Sequence, residues 1–207
     1  TAVGRLSLDA NTTGAENTAT GNSALGANTT GGNNSAFGSS ALVANTTGAR
    51  NAAVGIEALS ANTTGDDNTA VGQCALKVNT TSHDNTAVGS YALQDNTSGT
   101  QNTAIGIQAM RYGTTGNYNV ALGAFTLGAS DVNTGDHNIA IGRKSMFDNT
   151  SGNNNVAVGS SALESNTTAA DNTAVGGASM ISNTTGASNT AVGRYSLNAN
   201  TSGSLNV

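Results

Sequence analysis

The sequence predicts an all-β fold, a parallel β-solenoid (β-roll or β-helix) of about twelve 17-residue coils. Three observations predict it. One unit of 17 residues repeats along the whole chain, each unit holds a single short apolar stretch of strand period, and Gly falls inside that stretch in every unit.

With Asn as position 1, the units begin at Asn17, Asn34, Asn51, Asn68, Asn85, Asn102, Asn119, Asn138, Asn155, Asn172, Asn189 and Asn206. Every interval is 17 except the 19 between Asn119 and Asn138. The consensus reads N-T-A-V-G-x-x-A-L-x-x-N-T-T-G-x-x. Residues 1–207 therefore form one continuous repeat array with no distinct cap sequence at either end.

Positions 1 to 5 predict a strand. Position 3 is Ala and position 5 is Gly in every unit, position 4 is Val, Ile, Leu or Phe in all but the unit of Thr20, and position 9 is always Leu or Met. Side chains alternate along a strand, so positions 2 and 4 share one face and positions 3 and 5 the other. Val120 with Leu122, Ile139 with Ile141 and Val156 with Val158 mark the 2 and 4 face as the inner one. The opposite face carries at most a methyl group: Ala36, Gly38, Ala70, Gly72, Ala104, Gly106, Ala157 and Gly159 are representative. Side chains this small imply that another backbone approaches closely, either the opposite wall of the coil or a neighbouring chain, so this face is the expected packing surface.

Positions 8 and 9, Ala-Leu, supply a second apolar segment. The N-T-T-G or N-T-S-G run at positions 12 to 15 predicts a turn, with Asn and Gly as its positive-φ residues. Positions 6, 7, 10, 11, 16 and 17 vary freely and are expected to face solvent. A helix is excluded by Gly inside the only apolar stretch and by the abundance of Asn and Thr.

Coils stacked at about 4.8 Å make a rod of roughly 57 Å, with Asn ladders at positions 1 and 12 bonding along the axis. The expected core is thin, so the chain itself is the expected partner, as a side-by-side homotrimer or a head-to-tail filament.

Composition narrows the function classes. Seven Lys and Arg against twelve Asp and Glu give a net charge of -5, which excludes a basic patch for nucleic acid. No apolar run approaches the roughly 18 residues of a membrane span. The single cysteine, Cys74, excludes an internal disulfide framework.

The run Asn85-Thr86-Ala87-Val88-Gly89-Ser90-Tyr91-Ala92-Leu93, followed by Asn96-Thr97-Ser98-Gly99, resembles the repeats of bacteriophage tail-fibre shafts and related surface fibre proteins. It is also similar to the head repeats of trimeric autotransporter adhesins, whose unit carries a comparable small-apolar-Gly strand. The resemblance implies a left-handed parallel β-roll, three chains packed side by side, and the role of a shaft.

Candidate chemistry is sparse. His83 and His137 lack a partner at ligand spacing, and Cys74 occupies a variable position, so no catalytic residue, metal site or cofactor is expected. Asp66 with Asp67 and Asp131 with Asp136 are acidic turn pairs without the calcium nonapeptide pattern. Tyr112, Tyr118 and Phe125 gather near the 19-residue unit, a candidate lateral contact or carbohydrate spot.

The N-x-S/T rule for glycan acceptors is met at Asn11, Asn28, Asn45, Asn62, Asn79, Asn96, Asn149, Asn166, Asn183 and Asn200, and also at Asn33. Two readings follow: a turn ladder that coincides with the rule, or a row of attached glycans along one edge. The functional expectation is a non-enzymatic structural segment of an extracellular fibre on a cell surface, fibril or virion. The alternative is an array of Thr hydroxyls at positions 13 and 14 that binds ice or carbohydrate.

Overall fold

The computed structural model describes residues 1–128 and 132–207. Among them the chain is all-β, a parallel solenoid without a helix. Each unit contributes one strand: β1 (Ala2–Val3), β2 (Thr18–Thr20), β3 (Ser35–Phe37), β4 (Ala52–Val54), β5 (Thr69–Val71), β6 (Thr86–Val88), β7 (Thr103–Ile105), β8 (Val120–Leu122), β9 (Ile139–Ile141), β10 (Val156–Val158), β11 (Thr173–Val175) and β12 (Thr190–Val192). They form one sheet in sequence order, and every strand pairs in parallel with the next at the equivalent residue, as Ala70 does with Ala87. The two-residue insertion does not disturb this register, since Val120 still faces Ile139.

The inner face of the strand is the reverse of the expectation. The middle residue points inward: Ala36, Ala70, Ala104 and Ala157 have no exposed surface. Positions 2 and 4 point outward, leaving Phe37 and Val54 each 42% exposed. The reason lies at position 1. Its Asn is buried and binds its axial neighbours, and alternation then carries position 3 inward with it.

The small residues at positions 3 and 5 are consequently not a lateral packing surface. The Ala side chains fill the coil. The Gly residues, Gly38, Gly72, Gly106 and Gly159 among them, are crowded by the next coil of the same chain: a Cβ on Gly72 would meet the Gly89 carbonyl oxygen at 2.4 Å. Their φ angles of 122° to 143° also exclude an ordinary side chain.

The core is a set of axial ladders. Ala at position 3, Ala, Ser or Thr at position 8, and Leu or Met at position 9 make one continuous cluster. Where position 8 is polar its hydroxyl finds a carbonyl, as Ser145 donates to Ala157 O at 3.0 Å. The rest of the interior is amide. At position 1, the Asn68 backbone N–H donates to Asn51 Oδ1 at 3.0 Å while Asn68 Nδ2 donates to Ser82 O at 2.8 Å across the coil. At position 12, Asn45 Nδ2 donates both to Asn28 Oδ1 at 2.8 Å and to Gly48 O at 2.9 Å.

The bends also differ from expectation. Non-Gly residues with positive φ occupy positions 7, 9 and 17, as in Ser23, Leu25 and Asn33, and not the Asn and Gly of the N-T-T-G run. That run instead turns through its buried amides and carbonyls.

Candidate functional site: the outer surface of the rod

Inward ladders leave three kinds of outer surface: the sheet face, the turn edge at positions 13 and 14, and the variable corners. The sheet face is built from positions 2 and 4, which strand alternation directs to solvent. It carries no charged side chain from β1 to β12. Position 4 gives a nearly continuous apolar stripe, and position 2 mixes Thr with Val120, Ile139 and Val156. Ile56 and Ile107, at position 6, widen the stripe at 57% and 47% exposure.

The turn edge is less available than its Thr content suggests. Position 13 hydroxyls bond along the axis, as Thr46 Oγ1 donates to Thr63 O at 3.0 Å. Position 14 residues such as Thr47, Thr64 and Thr185 stand exposed in a row, one per coil.

The N-x-S/T asparagines at this edge face inward. Asn28, Asn45, Asn62, Asn79, Asn96, Asn149, Asn166 and Asn183 are 0 to 1% exposed. Their Nδ2, the atom a glycan would join, is a hydrogen-bond donor inside the coil. A glycan at any of these eight is incompatible with the fold. Asn11 and Asn200 are half-buried, with Nδ2 donating to Gly14 O and Gly203 O, while Asn33 is exposed. At the eight buried positions the acceptor rule is matched by residues that serve a turn ladder.

At the corners, His83 Nδ1 lies 2.9 Å from Asp84, and His137 stacks on Tyr118 with ring centroids 4.8 Å apart. Asp66 accepts the Ala49 N–H at 2.7 Å, and Asp67 pairs with Arg50 at 2.6 Å, which holds the Asp67 carboxyl below the usual range. Asp136 accepts the Asn117 N–H at 2.6 Å; Asp131 lies outside the described residues. No group of three or more His, Cys, Asp or Glu positioned to hold a metal occurs among the described residues. The Cys74 thiol, buried beside Glu57, is pushed up by burial.

The aromatic residues near the long unit do not converge. Tyr112 lies under the Arg111 guanidinium, which also covers Tyr91, whereas Tyr118 stacks with His137 on the position 17 corner. Sequence reasoning missed a different feature of this region. Gly113 stands where the other units carry the position 12 Asn, and the buried Asn96 Oδ1 and Asn133 Nδ2 on either side have no partner among the described residues. The signal was visible as an Asn missing from an otherwise regular column.

No helix among the described residues is long and apolar enough to cross a membrane. No protein-family model, curated protein or solved structure matches the chain.

Proposed function

We propose that the chain is a non-enzymatic structural segment of an extracellular fibre, a shaft of the kind found in cell-surface fibrils, adhesins or phage tail fibres. One observation carries the reading: each coil binds the next at the strand, at the position 13 turn and through the Asn columns, so the cross-section repeats while the length grows. Such an architecture separates two points rigidly with little sequence cost. The outer surface is dominated by repetition, which suits a spacer better than a site needing one unique constellation.

The test is excision in phase. Removing Asn68 to Asp84 should leave the circular dichroism spectrum intact and shorten the rod seen by negative-stain imaging by about 4.8 Å, one coil. Removing one residue fewer should disrupt stacking. Loss of folding on in-phase excision, or discovery of a turnover activity abolished by it, would overturn the spacer reading.

A second reading, a hydroxyl array for ice or carbohydrate, gains one point in its favour. Thr69, Thr86 and Thr103 lie on the flat sheet face and not only beside a turn. The row is broken at Ala52, Val120, Ile139 and Val156. Thermal hysteresis of the intact chain would support it, and its absence would remove the ice-binding form.

A further inference from the structure

We propose that the coil of Gly113 binds a pair of water molecules inside the position 12 column, where they stand in for the side-chain amide that the coils on either side supply. The site is independent of the fibre reading, since it depends on the interior of one coil and not on what the rod does.

The polar groups around Gly113 define what fits. Asn96 and Asn133 are 1% and 3% exposed, and among the described residues Asn96 Oδ1 has no donor and Asn133 Nδ2 no acceptor. The turn fixes the sense of the Asn133 amide, because its Oδ1 already accepts the Gly135 N–H at 3.0 Å. Gly116 O is the third group. In an intact coil this carbonyl takes two amides, as Gly48 O accepts Asn34 Nδ2 at 2.8 Å and Asn45 Nδ2 at 2.9 Å. Gly116 O takes only Asn102 Nδ2 among the described residues, at 2.8 Å. The lining therefore offers two acceptors and one donor. An Asn side chain would answer with two N–H donors and a carbonyl oxygen, and water carries the same two donors with lone pairs to accept.

Spacing sets the number of molecules. Gly113 and Asn133 are bridge partners, with the Thr114 N–H on Asn133 O at 3.0 Å and the Asn133 N–H on Tyr112 O at 2.9 Å, so coil stacking is kept through this step. One coil spacing plus one hydrogen bond then puts Asn96 Oδ1 and Asn133 Nδ2 about 8 Å apart. One water joins groups up to about 6 Å apart, and two in series join groups about 8 Å apart. The nearer water donates to Asn96 Oδ1 and Gly116 O and accepts from the second, which in turn accepts from Asn133 Nδ2. Each then has the two or more polar partners that a buried water requires.

The apolar part of the missing side chain is replaced separately. Met110 Cε lies 3.3 Å and Leu93 Cδ1 3.5 Å from where a Gly113 Cβ would stand, so carbon covers one side of the site while amides and a carbonyl line the other. A purely apolar cavity stays dry; the polar lining is what makes this one wet. Two ordered waters lose freedom that a covalent amide does not, so the hydrated coil is still less favourable than one with Asn restored.

Two measurements on the intact chain test the site. A high-resolution crystal structure should show two waters between Asn96 and Asn133, within hydrogen-bond distance of Asn96 Oδ1, Gly116 O and Asn133 Nδ2. In solution, the Asn133 side-chain amide protons should show nuclear Overhauser transfer from water with the sign of a long-lived interior molecule, told apart from proton exchange by its opposite sign in the rotating frame. The Asn62 amide, in an unbroken stretch of column, should show none. In Met110→Leu with Gly113→Asn the transfer to Asn133 should disappear. Failure of either measurement on the intact chain overturns the proposal whether or not the double variant folds, and so does transfer that persists unchanged in a folded double variant. A dry coil would show Asn133 Nδ2 in direct contact with Asn96 Oδ1 or Gly116 O and would overturn it equally. The excision test of the spacer reading is untouched in every case, because it removes a different coil.

Discussion

Three non-glycine residues of every coil are held in the left-handed region, at positions 7, 9 and 17, with φ between 46° and 60°. This conformation costs about 1–2 kcal/mol for an ordinary residue and more for a β-branched one. None of these positions carries Val, Ile or Thr in any unit, although β-branched residues are otherwise abundant. The backbone thus explains why position 9 is Leu or Met in a β fold. Ser161, at position 7, makes no side-chain hydrogen bond among the described residues, so Ser161→Gly should stabilise the chain by about 1 kcal/mol and Ser161→Val destabilise it by about 2 kcal/mol or more, read by chemical denaturation. At position 5 the strain and the clash can be separated. Gly89 has positive φ and would drive a Cβ to 2.4 Å from the Gly106 carbonyl oxygen, whereas Gly193 has positive φ with nothing within 4 Å. Gly89→Ala should therefore cost well above the roughly 1–2 kcal/mol expected for Gly193→Ala. Equal effects would show that backbone conformation, and not stacking, fixes the glycine.

The Asn columns are the elements that join coil to coil. Asn62 Nδ2 donates to Asn45 Oδ1 at 2.8 Å and Asn62 Oδ1 accepts from Asn79 Nδ2 at 3.0 Å. Asn62→Ala would strand one buried acceptor and one buried donor, a cost of about 2–6 kcal/mol at 1–3 for each unmet group. The chain contains this lesion already at Gly113. Met110 compensates in part: its Cε lies 3.3 Å from where a Gly113 Cβ would stand, filling space the amide leaves. The pair Met110→Leu with Gly113→Asn should restore the column between Asn96 and Asn133 and raise stability by about 1–3 kcal/mol. Gly113→Asn alone should gain less, since the Met110 methyl must move. A double-mutant cycle measures that coupling.

At the scale of the whole rod, stability is a sum of neighbouring contacts, and its pH dependence comes from corner carboxylates of two opposite kinds. Asp95 and Asp148, both at position 11, are pushed up by burial, with Glu164 adding to the effect at Asp148. A raised carboxyl favours folding when protonated, so its stabilising contribution is present in acid and lost as pH rises through the folded-state value. Asp148→Asn should accordingly raise Tm near neutral pH and have little effect in acid below the carboxylate range. Asp67 and Glu57 act in reverse. Arg50 and Lys77 hold them down, so their contribution is present near neutrality and lost as pH falls. Both pairs are exposed, so salt should weaken them while leaving the buried Asn columns unaffected.

The repeat, its 17-residue length, the parallel stack and the two Asn ladders were legible in the sequence, because a period shared by every unit can be satisfied only by stacking equivalent residues. What hydrophobicity did not reveal was the direction of the strand. Val and Ile outweigh Ala in apolar surface and pointed to the wrong face. The better signal was constancy among units: the Asn at position 1, the Ala at position 3 and the Gly at position 5 hardly vary, while positions 2 and 4 accept Thr, Ser, Val, Ile or Phe, as solvent-facing positions do. Glycan acceptors were equally legible as a pattern and misleading as a site, since the rule sees three residues and not the burial of an amide. Periodicity alone dictates that equivalent residues stack. Which of them lie inside was settled in three dimensions, because that depends on where the Asn amides close the coil, and burying a hydrogen-bonded amide ladder outweighed burying the larger apolar side chains.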